Sequence, residues 1–398
     1  MPWPTHYFQM VGAVWALIAA GHEVRVAGPP GLLGAVTSTG VTAVPVGGGY
    51  DVMDGVAEMV KARKRLDRGA HMVGAGDFSE ADRRALLDIR MVPHLRLAED
   101  LAPGLVAFAK AWRPDIVLAD PLVYAAPLAA AAVGAPVVRH LWGPDLSRQI
   151  ALPGSGVDPA DDPRAAWPAE LVALYEKYDA EPRADLADLT LDNCPTSMQL
   201  PGIANRVDMR YVPYNGAMVA PAWLQEPPER PRVCVTWGTS TTKLAGDDAF
   251  LVPQILQALA PFDVEVVVAV RPEDRARLGD FSDDVRIVEN VPLNLFLPSC
   301  RAIVHSSSGG TALTAALYGL PQVVLPTLGG EAIIYERLCA TGAGLGLKPD
   351  EVGESALTAA VDAVLHDGEL RAAAGRLQAE MLSQAPPSAV VPVLENLV

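Results

Sequence analysis

Residues 302–311 read Ala-Ile-Val-His-Ser-Ser-Ser-Gly-Gly-Thr: an apolar strand, a turn poor in side chains, and the start of a helix. Small residues at such a turn let backbone N–H groups approach a bound anion, and the helix dipole favours negative charge there. The chemistry predicted is phosphate binding. The segment lies between "VPLNLFLPSC" (291–300) and "GLPQVVLP" (319–326), inside a strand–helix unit that would hold the turn at a sheet end. Ser/Gly turns of this kind also occur purely as structure, so the segment alone names no ligand.

Composition narrows the partner. The chain has 398 residues, half of them apolar, with 31 Lys+Arg against 47 Asp+Glu and a net charge of −16. That length exceeds one usual hydrophobic core and predicts two domains. That charge argues against a nucleic-acid partner, so a bound phosphate must be held locally by amides and hydroxyls. Cys194, Cys234, Cys300 and Cys339 are scattered, with neither CxxC nor metal spacing, and read as reduced core residues of a cytoplasmic protein. No apolar run is long enough to span a membrane, and no basic n-region with an apolar h-region is read at the opening residues.

Strand and helix alternate throughout. β-type runs are predicted at 23–27, 41–46, 115–119, 136–140 and 189–193, with Ala-rich helices at 10–20, 85–111 and 125–132. Pro93 and Pro103 should kink or split the second of these helices. Residues 47–77 read as a mobile loop, and the Pro-dense stretch 201–231 as an interdomain linker. Alternation resumes at 233–237, 264–270, 285–289, 302–305, 322–325 and 344–347. The pattern is α/β: two Rossmann-like domains facing across a cleft, with ligands at the carboxyl ends of the strands. The expected division is an acceptor-binding domain over 1–220, a nucleotide-binding domain over 221–375, and a C-terminal helix over 376–398 returning to the first domain. Doubly wound domains open on a hydrophobic strand, yet Met1-Pro2-Trp3-Pro4-Thr5-His6 leads directly into the first helix. Whether a first strand lies ahead of Met1 or is lacking stays open.

Taken together, "PTHYFQMVGAVWALIAAGHEV" (4–24), "YVPYNG" (211–216), "RVCVTWGTS" (232–240) and the segment 285–326 resemble the GT-B-fold antibiotic glycosyltransferases of actinobacteria. The resemblance covers nearly the whole chain. "YVPYNG" with "HLWGPD" (140–145) is especially similar to the branch acting on aromatic polyketides. It implies an inverting, metal-independent transferase that moves a deoxysugar from a dTDP-sugar to a polyketide hydroxyl. The dTDP-sugar is then a substrate and no cofactor is called for. No Asp-x-Asp motif ends a strand, so no metal is assigned, and a homodimer is left open.

By position, the resemblance makes His6 the catalytic base and Asp120 the acid that orients it. Imidazole suits that role at neutral pH, and a hydrogen-bonded carboxylate would fix its tautomer. Val291 and Pro292 match the nucleobase-holding segment. Ser240, Ser307, Ser308, Gly309, Gly310 and Thr311 match the diphosphate contacts. Met53, Met91 and Trp142 would line the acceptor pocket, with Asp145 as a fallback base or acceptor-facing acid.

The resemblance breaks at the donor site. The family turn reads His-His-Gly-Gly-(Ala/Ser)-Gly-Thr, whereas here His305 is followed by Ser306, Ser307 and Ser308. The second histidine of the family is thus Ser306, and a glycine pair is replaced by serines. The family's sugar-gripping Asp-Gln falls on Gly330 and Glu331. Loss of a charge-assisted phosphate bond weakens binding by about 1.5–3 kcal/mol. Weaker donor affinity is therefore expected. The alternative is a protein of this fold with a degraded donor site, acting as an auxiliary partner or on the polyketide by other chemistry.

Overall fold

A computed structural model describes residues 1–65, 80–157, 162–238, 246, 249–279, 281, 284–327 and 332–398. Its strands, numbered in chain order, are β1 (Arg25–Gly28), β2 (Thr42–Pro45), β3 (Val117–Ala119), β4 (Val137–His140), β5 (Leu189–Asp192) and β6 (Arg206–Asp208). In the second half come β7 (Arg232–Thr236), β8 (Glu265–Val270), β9 (Val285–Glu289), β10 (Cys300–His305), β11 (Gln322–Val324) and β12 (Gly344–Gly346).

β7–β12 form one parallel sheet in the order β12-β11-β10-β7-β8-β9. Strands of such a sheet are covered on both faces, which is why they read as unbroken apolar runs. β7 is buried at every position. Val233, Val235, Val266, Val268 and Val304 pack on one side with Ile255, Leu259, Val361 and Val364. On the other side Cys234, Val267 and Ile303 meet Phe296 and Ala315. The order reverses between β7 and β10, and ligands of doubly wound sheets settle where it reverses.

In the first half, β3-β4-β5-β6 form one parallel sheet and β1-β2 another. The first helix, Pro4–Ala19, begins with proline at a position where the missing N–H costs nothing. It ends at Gly21, whose φ of +99° suits glycine. One of its faces packs Tyr7, Val11 and Val14 on Leu32, Val36 and Val41. Another places Ala13 with Val138, Leu189 and Leu191, where Val390 and Leu394 of the C-terminal segment also pack.

One local expectation differs from what is observed, a second differs in part, and a third gains detail. Residues 52–65 are helical (Val52–Arg65), started by Asp51, whose Oδ1 accepts the Met53 N–H at 2.9 Å; residues 66–79 lie outside the described set. The helix Glu80–Trp112 runs through both Pro93 and Pro103 without a break. Its buried Met91, Leu95, Leu97, Leu101 and Val106 hold it in the core across each missing N–H. The stretch 201–231 carries β6 and then straps both halves of the molecule: Tyr214 stacks edge-on to Phe8 and Trp15 at 5.0 and 5.5 Å. Buried Tyr211 bonds Thr314 through its hydroxyl at 2.9 Å. Among the described residues no helix is long and apolar enough to cross a membrane, and all four cysteines are free.

Candidate active site

β10 ends at His305, beside the end of β7, and the chain turns through Ser306, Ser307 and Ser308 into the helix Gly309–Leu317. The inner half of this turn is occupied with its own architecture. His305 is buried; its Nε2 lies 2.9 Å from Gln322 Oε1, and its Nδ1 accepts the Ser307 N–H at 3.2 Å. Those two bonds assign the proton to Nε2, and burial pushes the imidazole down to about 4. Ser307 sits at φ +64°, a left-handed conformation that the glycine of the family pattern adopts without a Cβ penalty. Ser306, also buried, accepts the Gly238 N–H on its Oγ at 2.8 Å, tying the ends of β7 and β10 together.

The outer half, Ser308 to Thr311, is half-buried and faces the N-terminal half. Ser308 is the extended residue before the helix, so the N–H groups of Gly309, Gly310 and Thr311 have no carbonyl four residues back. They are the donors an anion would meet. Both glycines allow close approach. A Cβ on Gly309 would stand 3.1 Å from the Trp142 carbonyl oxygen, and one on Gly310 would stand 2.7 Å from Gln9 Nε2.

Across that contact lies the second constellation. His6, in the first turn of the Pro4–Ala19 helix, places Nδ1 2.6 Å from Asp120 Oδ2 at the end of β3. Asp120 Oδ1 accepts the Leu122 N–H at 2.8 Å, which fixes the carboxylate plane. Burial alone would raise this carboxyl. The His6 imidazole, the Met1 ammonium and the hydrogen bonds instead hold it below the usual carboxylate range. An ionised Asp120 keeps the proton on His6 Nδ1 and leaves Nε2 as the acceptor. Trp142 lies 4.7 Å from the imidazole and Trp3 5.3 Å, ring centre to ring centre, so the ring is flanked by two indoles. His6, Trp142 and the turn at Gly309 are thereby contiguous.

Other sequence-derived candidates sit elsewhere. Asp145 is buried as the N-cap of a short helix and accepts from Arg148 N–H at 3.2 Å and from Ser147. Met91 is 1% exposed within the N-terminal core. Met53 is half-buried in the first turn of the Val52–Arg65 helix. Val291 and Pro292 lie beyond β9, where Pro292 starts a short helix and Asn215 Oδ1 accepts the Asn294 N–H at 3.1 Å. Ser240, Gly330 and Glu331 fall outside the described residues. Sequence reasoning passed over Gln9, Gly238, Gln322 and Tyr211, each a polar or small residue that acts through a partner far away in the chain.

The buried imidazoles make stability depend on pH. His94, His140 and His305 are all held at about 4 by burial, below the unfolded value near 6.5. Stability is complete above pH 6.5 and lost as pH falls from 6.5 toward 4, at pH 5 by about 2 kcal/mol per histidine. Asp192, raised to about 6 by burial, acts in the opposite sense and offsets part of that loss. Calorimetric melting should show Tm falling by more than about 5 °C between pH 7.5 and 5; a flat profile would contradict the burial argument.

Parallel α/β sheets in each half, with a His–Asp pair opposite a helix N-terminus at the switch point of the C-terminal sheet, fit a GT-B glycosyltransferase. The erythromycin biosynthesis protein CIII-like family matches at residues 15–238 with its N-terminal domain and at 253–397 with its C-terminal domain. The chain belongs to that glycosyltransferase family. It is 37% identical to tylactone mycaminosyltransferase of Streptomyces fradiae, over 99% of this chain and 90% of the relative. It is 36% identical to aklavinone 7-beta-L-rhodosaminyltransferase of Streptomyces galilaeus, over 98% of this chain and 94% of the relative. A spinosyn rhamnosyltransferase solved with thymidine diphosphate superposes with a TM-score of 0.77 at 30% identity, covering 100% of this chain and 98% of the other.

Proposed function

We propose that this glycosyltransferase acts in the cytoplasm, transferring a deoxysugar from a dTDP-sugar to a hydroxyl of an aromatic polyketide, with inversion and without a metal. Residues 1–220 take the acceptor beside Trp142, residues 221–375 take the nucleotide, and 376–398 return to the first region. The relatives named as acting on tylactone and aklavinone support a polyketide acceptor, and the thymidine diphosphate complex supports the donor.

His6 Nε2 takes the acceptor hydroxyl proton as its oxygen attacks the anomeric carbon. Asp120 stabilises the imidazolium that forms. The bond to the diphosphate breaks on the opposite face, and the departing charge is met by the N–H groups of Gly309, Gly310 and Thr311. The observation that carries this reading is the contiguity of His6, Trp142 and Gly309.

A second reading, an auxiliary binding protein, is favoured by the inward commitment of the Ser306 hydroxyl and the Ser307 N–H. Calorimetric titration with dTDP separates the two. Saturable binding, a raised Tm and transfer that persists in EDTA are the expected results. Absence of dTDP binding would select the second reading, and loss of transfer in EDTA would remove metal independence.

A further inference from the structure

β4 and β5 run side by side as far as Leu141, whose N–H still bonds the Leu191 carbonyl at 2.9 Å. Trp142, Gly143 and Pro144 then carry the chain from the ladder to Asp145, which caps the Leu146–Gln149 helix. Trp142 lies against His6 on one side and Gly309 on the other. Its indole N–H does not hold it there, being buried without a partner among the described residues. Gly143 takes φ +155°, a conformation that suits glycine, and Pro144 has no N–H to give.

The loop is held by one side chain from a distant segment. Gln199, 2% exposed, accepts the Asp145 N–H on Oε1 at 2.9 Å and donates from Nε2 to the Gly143 carbonyl at 3.3 Å. Two further bonds fix the amide itself. Oε1 also accepts the Leu200 N–H at 2.8 Å, and Nε2 also donates to Asp192 Oδ2 at 2.8 Å, at the end of β5. With both N–H groups and both lone pairs engaged, the amide has one orientation, and turning it over would break all four bonds.

Arg337 braces the same segment from the C-terminal half. Its Nε donates to the Met198 carbonyl at 3.0 Å, and its Nη2 to the Gln199 carbonyl. It belongs to the Ala332–Ala340 helix, which also carries Ile334 one turn earlier. The Ile334 Cδ1 would stand 3.5 Å from a Cβ on Gly143 and 3.6 Å from one on Gly309. The C-terminal half therefore meets the 142–144 loop directly and again through Gln199.

We propose that Gln199 is a positioning residue of the transfer reaction: by clamping Gly143 and Asp145 it keeps Trp142 between the base and the turn at Gly309. This rests on the reading of His6 as that base. Buried and fully bonded, Gln199 has no group left for a substrate. It acts through the indole, which covers the imidazole on one side and limits its tilt. Without the clamp the loop is tied only at its ends, the indole is free to swing, and His6 loses its alignment with an acceptor oxygen. An error of about 1 Å in such alignment costs on the order of 100-fold in rate.

Gln199→Leu keeps the volume and removes all four bonds. With both substrates saturating, single-turnover transfer should fall about 30-fold while dTDP affinity stays within about twofold. In a Trp142→Ala background the same change should cost less than about twofold, because its effect passes through the indole. A lowered Tm with the rate of the folded enzyme intact would overturn the proposal. So would a loss in the Trp142→Ala background as large as in the parent. Gln199→Leu strands buried N–H and C=O groups. Should that variant not fold, Arg337→Met loosens the same segment with the amide intact and is judged by the same criteria, at an expected loss of about fivefold. His6→Ala measured alongside separates the two readings. Full rate there strikes the base assignment, whereas its loss beside an unaffected Gln199→Leu strikes the role of Gln199 alone.

Discussion

Replacement of His6 by alanine is expected to lower kcat by about 1,000-fold, within the range a positioned general base contributes, while dTDP affinity stays within about twofold. On the proposed reading the imidazole serves the acceptor: its Nδ1 is spent on Asp120, and its ring is held between Trp3 and Trp142. Asp120→Asn should be nearly as damaging. An amide N–H facing Nδ1 makes that nitrogen the acceptor and moves the ring proton to Nε2, where the acceptor hydroxyl must deliver its own. Residues acting as a unit are not additive, so the double variant should fall little below His6→Ala alone. Single-turnover rates with saturating donor measure this. Multiplicative losses would mean that the two residues act independently. A His6→Ala variant at full rate would remove the base assignment altogether.

Thr311→Asp should abolish donor binding without harming the fold. Thr311 is the third residue of the Gly309–Leu317 helix, where a carboxylate is favourable by about 0.3–1 kcal/mol through the helix dipole. Held near a diphosphate, the same carboxylate repels it by about 4 kcal/mol at contact distance in a partly screened site. Affinity for dTDP should therefore fall at least about 100-fold, with Tm unchanged or slightly raised. A role confined to packing would give the reverse, a lower Tm and intact affinity. Calorimetry and a melting curve on one sample distinguish the two.

The strands were legible because parallel strands buried on both faces demand uninterrupted β-branched runs. Val264–Val270 and Val285–Glu289 could hardly be anything else, and both lie within two residues of the observed β8 and β9. The strand–turn–helix over 300–317 was legible because an apolar run, small turn residues and an Ala-rich stretch follow one another. Which of its groups face outward was not. The bond from Gly238 N–H to Ser306 Oγ, and that from Ser307 N–H to His305, depend on β7 and β10 lying side by side, which local pattern does not encode. The His6–Asp120 contact spans 114 residues and came from family resemblance; residue types alone left a turn histidine and a strand-end aspartate. The 52–65 helix was missed because Gly47 to Gly49 mark the region as irregular, and its start depends on one Asp51 side chain. The 201–231 stretch runs from β6 of one sheet to β7 of the other, in keeping with its proline density; the anchorage of Tyr211 and Tyr214 is what that density does not encode.

That strap has a mechanical consequence. Tyr214 is gripped by Phe8 and Trp15, on the same helix that carries His6, while Tyr211 is gripped by Thr314, on the Gly309–Leu317 helix proposed to hold the nucleotide. The fulcrum for any rocking of one half against the other therefore lies within a few residues of chain. Nucleotide uptake would reach the base as a small rotation of its supporting helix, and Trp15 is a fluorescent reporter placed at the pivot.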